Sequence, residues 1–246
     1  MTLELSVTHV LSQPVVPATH ASTERPVPMR PMWVLVGVFL ALALWGALAQ
    51  RQAAPSVAFP RPASPAAVYA GLILMEWGLV LYVWRAGLGR RPGSLRELIG
   101  GRWSRPRDIA VDAAIGLLTW ALWSAVSLLW RSWSLPDSAA SIDSLLPHRL
   151  HEILLWIVLS VSAGFCEELV FRGYLQRQFH ALTGSAPLAL LLQAALFGVS
   201  HGYQGTRACL RIAVYGLLFG GLAMQRRSLR PGMIAHAWTD IASGLL

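Results

Sequence analysis

The sequence predicts an all-α protein, a polytopic transmembrane helical bundle of about seven spans, and three observations carry that reading. Hydrophobic residues make up 55% of the 246 and charged residues only 13%, whereas a soluble domain carries about 25% charged residues. The apolar residues gather in runs close to the ~20 residues a helix needs to cross hydrocarbon. Ionisable residues recur at one-turn spacing inside the later runs, where their cost in hydrocarbon marks a functional chamber rather than ordinary packing.

Residues 1–31 are mixed in polarity, with Pro14, Pro17, Pro26 and Pro28, and read as a flexible cytoplasmic N-terminal tail. No short basic region leads directly into an apolar run, so an uncleaved first helix is expected to target the chain. The remainder, 32–246, reads as one membrane domain with spans over 32–50, 66–84, 109–131, 150–171, 186–201, 208–225 and 231–246. A Pro-rich stretch from Pro55 to Pro65 separates the first two spans. Ser134-Leu135-Pro136-Asp137 opens the connection before the fourth. The 85–108 connection contains Pro92, Gly93, Leu95, Leu98 and Ile99 and has room for a short amphipathic helix on the inner surface.

All 20 basic residues are Arg, and the formal charge is +8. Seven of them, Arg85, Arg90, Arg91, Arg96, Arg102, Arg105 and Arg107, crowd one connection between apolar runs. That placement is a positive-inside signal rather than a nucleic-acid groove, for which no soluble module exists. Alternation then puts the N-terminus and the Arg226-Arg227-Ser228-Leu229-Arg230 connection inside, and the 51–65 and 132–149 connections outside. Arg207 and Arg211 fall near the outer side. The two cysteines, Cys166 and Cys209, sit in or beside apolar helices with neither disulfide nor metal spacing, and read as packing residues.

Three constellations carry chemistry. In Cys166-Glu167-Glu168-Leu169-Val170-Phe171-Arg172, Glu168 and Arg172 are one turn apart and can pair along one face, offsetting part of the cost of burying both. Glu167 points about 100° away and is free for another task. A carboxylate in an enclosed, partly dry chamber is a better base toward water, with Glu168 and Arg172 as its structural support. In the second constellation Phe197 lies one turn before His201 and can wall its ring, while Gly198 and Gly202 allow a neighbouring helix or a substrate backbone to come close. In the third, His236 and Asp240 share a face of the last helix. Asp240 can set the His236 tautomer, or both can present hydrogen bonds to an oxygen that becomes negative during hydrolysis, Asp240 only when protonated.

In this order, on successive late helices, Glu167-Glu168-x-x-x-Arg172, Phe197-x-x-x-His201 and His236-x-x-x-Asp240 resemble the three motifs of the CAAX protease and bacteriocin-processing (CPBP, or Abi) family of intramembrane endopeptidases. By motif the resemblance covers about 150–246, and elsewhere it rests on hydropathy. It implies a CAAX-protease-like helical core around a conical chamber and hydrolysis of a peptide bond near the membrane. Residue by residue, it implies that Glu167 and His201 activate the attacking water, that His236 and Asp240 bind the carbonyl oxygen or help shape that pocket, and that Glu168 and Arg172 brace the first motif, with Phe197 as support. The third motif ends in Asp240 where members often carry Asn, and the chain stops six residues later, where many members continue into another helix. A weaker oxyanion partner and a trimmed bundle or truncated gene are the corresponding expectations.

No cofactor is expected in the preferred reading. The alternative is zinc held by Glu167, His201, His236 and Asp240 with an open position for water, although no His-Glu-x-x-His helix occurs. Two non-enzymatic readings compete: a membrane immunity or adaptor protein on the same scaffold, and a transporter using Glu167, His201 and His236 as a proton relay. The expected partners are the lipid bilayer and a membrane-associated peptide or protein, with no nucleic acid. Prenylated CAAX chains, leader peptides and C-terminal membrane anchors all suit such a chamber. The all-Arg composition fits a bacterial gene of high GC content, so a multi-pass protein of the bacterial inner membrane that processes a membrane-associated peptide is expected.

Overall fold

The computed structural model describes residues 29–52, 64–90, 93–133 and 145–245. All regular structure among them is helical: α1 Met29–Gln52, α2 Pro65–Tyr82, α3 Ser94–Ile99, α4 Pro106–Trp133, α5 Leu150–Glu167, α6 Gln176–Thr183, α7 Ala186–Ser200, α8 Thr206–Arg226 and α9 Arg230–Leu245. A π-helical segment, Val83–Gly87, extends α2, and a second, Glu168–Leu175, joins α5 to α6 without a break in the rod. The expected tail lies outside the described residues except for its last three positions, which belong to α1. The Pro55-to-Pro65 connection, apart from Ser64 and Pro65, and Ser134-Leu135-Pro136-Asp137 also lie outside.

Local chemistry explains several helix starts. Ser64 caps α2 by accepting from the Ala67 amide at 3.3 Å, with Pro65 at the first helical position. Ser185 does the same for α7 through Leu188 N at 3.4 Å. Glu152 reaches back from the first turn of α5 to the amides of His148 (2.8 Å) and Arg149 (3.1 Å), which the helix leaves without internal partners.

The outside of the bundle is apolar: Leu74, Leu118 and Trp45 are 74%, 70% and 72% exposed. A water-soluble protein does not display such a surface over whole helices, and a lipid-facing one does. Five helical stretches are long and apolar enough to cross a membrane, namely Met29–Leu48, Pro65–Gly87, Pro106–Ser132, Leu150–Thr183 and Thr206–Arg226. The expected count of seven is therefore corrected to about five. The helix at 186–200 has 15 residues and α9 has 16, about 22–24 Å at 1.5 Å per residue, short of the ~30 Å of hydrocarbon. Both are packed within the bundle, α7 on α8 and α6, α9 on α4 and α5.

Glycine sets two of these approaches. A Cβ on Gly164 would stand 2.8 Å from Ala237 N and 2.9 Å from Met233 O, so α5 and α9 meet backbone to backbone. A Cβ on Gly198 would collide with the Cys209 carbonyl of α8, as expected for close helix approach at that position. Polar side chains fasten other helix pairs: buried Gln193 donates to Gly216 O at 2.8 Å, and Gln176 to Gly220 O at 3.2 Å.

The short helix expected in the 85–108 connection exists as α3, but it packs on the bundle end. Leu98 is buried against Gly173, and its carbonyl accepts from Arg177 at 3.1 Å. The 226–230 connection lies beside it. Leu229 N donates to Ile99 O at 2.9 Å, Arg230 donates to Gly101 O, and Arg226 and Arg230 approach Asp112 at 3.3 and 3.9 Å. The two basic connections thus occupy the same end of the molecule.

Candidate active site

The Glu167-Glu168 pair stands where α5 passes into the π-helical segment Glu168–Leu175. A π turn is rare and is found mostly at functional sites. The ~100° step between neighbouring helix residues separates the two carboxylates as the sequence expected: the Glu168 side chain is 1% exposed and turned into the bundle, whereas that of Glu167 is 23% exposed. Glu167 lines a cavity of about 280 Å3 together with His201, His236 and Asp240. All four predicted principal residues, from α5, the end of α7 and α9, therefore meet on one chamber.

Behind the chamber wall, Glu168 is the hub. Its Oε1 lies 3.1 Å from Arg172 Nη1 and 2.9 Å from His236 Nδ1. The guanidinium meets the carboxylate as a charge rather than through an aligned hydrogen bond, and also stacks over Phe197 at 4.1 Å. Glu168 Oε2 faces Gly232, where a Cβ would come within 3.1 Å. A carboxylate can only accept here, so His236 Nδ1 donates and its Nε2 is left toward the chamber, 3.6 Å from both Glu167 Oε2 and Asp240 Oδ2. Those two separations are ionic contacts too long for hydrogen bonds. Of the two roles open to Asp240, the tautomer-fixing one thus falls to Glu168.

His201 is oriented in the same manner. It follows the last turn of α7, and its Nδ1 lies 2.8 Å from the Phe197 carbonyl, with Ser200 Oγ at 3.2 Å. A carbonyl only accepts, so Nδ1 carries the proton and Nε2 keeps a lone pair. Phe197 walls the ring as expected, edge-on at 4.9 Å. Tyr215 of α8 packs edge-on to His236 at 5.1 Å. Trp156 of α5 donates to the Asp240 carbonyl at 2.9 Å, which pins the end of α9 beside the chamber.

Cys166 and Glu76 are chamber residues outside the motifs. Cys166, a free thiol, lines the wall beside Glu167. Glu76 of α2 lines it from the other side, 6% exposed, with Oε2 buried and without a hydrogen-bond partner among the described residues. Its sequence signal was a solitary carboxylate in the apolar run 66–84. Among the described residues no group of three or more His, Cys, Asp and Glu side chains is arranged to hold a metal ion.

Residues 149–242 match a protein-family model, Type II CAAX prenyl endopeptidase Rce1-like. No match was found among curated proteins or among solved structures. The matched segment contains all three motifs and the helices that carry them, and it points to a protease of the membrane. The match over residues 149–242 is consistent with the CAAX protease resemblance that the three motifs carry.

Proposed function

We propose that the protein hydrolyses a peptide bond in a membrane-associated peptide or protein by a glutamate- and histidine-activated water. The supporting observation is that Glu167, His201, His236 and Asp240, drawn from three separate helices, line one cavity while Glu168 holds His236 from behind.

In this reading Glu167 takes a proton from water as the water oxygen bonds to the scissile carbonyl carbon, and His201 Nε2 accepts a second hydrogen bond that orients the water. The carbonyl oxygen gains the negative charge. Protonated His236 donates from both ring nitrogens, Nδ1 to Glu168 and Nε2 to that oxyanion, and a protonated Asp240 adds a second donor. Collapse of the tetrahedral intermediate breaks the C–N bond, and Glu167 returns its proton to the departing amine. The end bearing Arg226, Arg230 and the 85–108 connection faces the cytoplasm, as the positive-inside rule requires.

The test is cleavage of a membrane-peptide library by detergent-purified protein. Cleavage lost in Glu167→Ala supports the mechanism. A folded wild type that cleaves nothing favours the adaptor reading.

A further inference from the structure

Glu76 is the sole charged residue of α2. Its neighbour Trp77 donates to Ser162 Oγ at 3.3 Å, and Tyr69 on the same helix donates to Leu145 O. Glu76 itself is more than nine-tenths buried and lines the cavity, and its Oε2 has no hydrogen-bond partner among the described residues. It lies within electrostatic reach of Glu167, Asp240 and His236.

Among the described residues the cavity lining holds three side-chain carboxyl groups, Glu76, Glu167 and Asp240, and no Arg. The lining thus lacks the residue type that gives the chain its formal charge of +8, with 20 Arg. Arg172, the basic residue of the first motif, is committed to Glu168 and Phe197 behind the wall. Both histidines spend Nδ1 on other partners. Glu167 and Asp240 each stand 3.6 Å from His236, whereas Glu76 forms no salt bridge among the described residues. Ionising a carboxyl so deeply buried is costly, and a ligand that brings a cation offsets that cost only while it is bound.

We propose that Glu76 is a specificity-determining residue, the anionic subsite of the chamber that receives a basic side chain, Lys or Arg, of the bound peptide close to the scissile bond. The inference rests on the protease reading for its mention of a scissile bond. The choice of a cationic side chain rests on the cavity alone.

A peptide cleaved by the wild type is resynthesised with Lys or with norleucine, of matching length without the charge, at each position flanking the cut. At one position the wild type favours Lys by about tenfold or more in kcat/KM. In Glu76→Gln that ratio collapses toward one, and in Glu76→Asp, which keeps the charge, most of it remains. Equal cleavage of every Lys and norleucine pair by the wild type overturns the proposal, as does a preference that survives Glu76→Gln. A binding arm separates this outcome from failure of the protease reading. Short N-acylated apolar peptides with a central Lys or norleucine are titrated against Glu167→Ala and against Glu167→Ala/Glu76→Gln. Tighter binding of the Lys peptide only while Glu76 is present sustains the subsite even if no peptide is cut. Equal binding of both peptides overturns it.

Discussion

Glu168 Oε1 accepts from His236 Nδ1 at 2.9 Å across 68 residues of sequence, while Arg172 stands 3.1 Å from the same oxygen. One buried carboxylate thus ties the first motif to the third, and the adjacent Glu167 is left to the chamber. The two glutamates should therefore respond differently to removal.

Glu168→Ala strands the Arg172 guanidinium, whose side chain is 0% exposed. Removing one partner of a buried ion pair costs about 3–5 kcal/mol, and the loss of the histidine's support costs about 10–100-fold in activity. Thermal unfolding in detergent should show a clear fall in Tm. Glu167→Gln should leave Tm close to wild type while cleavage disappears. Equal thermal effects in the two variants would contradict the division of labour.

Gly164 sets the separation of α5 and α9. In Gly164→Ala the new methyl meets the Ala237 and Met233 backbone at 2.8 and 2.9 Å, and overpacking of that kind costs about 1–3 kcal/mol. The shift displaces His236 from Glu168, so activity and Tm should fall together. Gly221, whose Cβ position is open, is the control: Gly221→Ala should leave both nearly unchanged.

Asp240 donates to an oxyanion only in its protonated form, so its contribution is present at low pH and is lost as pH rises. An amide donates at every pH. Asp240→Asn should therefore retain cleavage and extend it on the alkaline side of the pH–rate profile, whereas Asp240→Leu should lose about 100-fold or more. An alkaline limb identical in wild type and Asp240→Asn would remove Asp240 from the oxyanion site.

The shared end formed by Leu229, Ile99, Arg226 and Asp112 gives a topology prediction. Single cysteines at Arg102 and Arg227, in a background lacking Cys166 and Cys209, should react with an impermeant maleimide from the cytoplasmic side. Labelling of the two positions from opposite faces would contradict the packing.

The helical class and the principal residues were legible because hydropathy and one-turn spacing are local. Glu167, Glu168, Arg172, Phe197, His201, His236 and Asp240 all occupy the chamber or its backing. The span count was not legible: α7 and α9 carry apolar runs, but their lengths follow from where His201 and Arg230 end or begin each helix. The π turn after Glu167 has no compositional marker, since Leu169, Val170 and Phe171 suit an α-helix equally well. Which acceptor holds His236 depended on the approach of α5 and α9, set by Gly164 through tertiary contact. α3 reads as an interfacial helix in isolation and is docked on the bundle end because Gly173 leaves room for Leu98. Glu76 left its signal in plain view, but a lone carboxylate gains meaning only when the fold brings it opposite Glu167.

The central claim is that water activated by Glu167 and His201 cuts a peptide bond. Its most direct test is cleavage of a membrane-peptide library by chelator-treated wild type, Glu167→Ala and His201→Ala, with bound metal measured in parallel. The account predicts cleavage that survives metal removal and is lost in both variants while each keeps its fold. Cleavage that persists in Glu167→Ala, or that vanishes on chelation and returns with zinc, would contradict it.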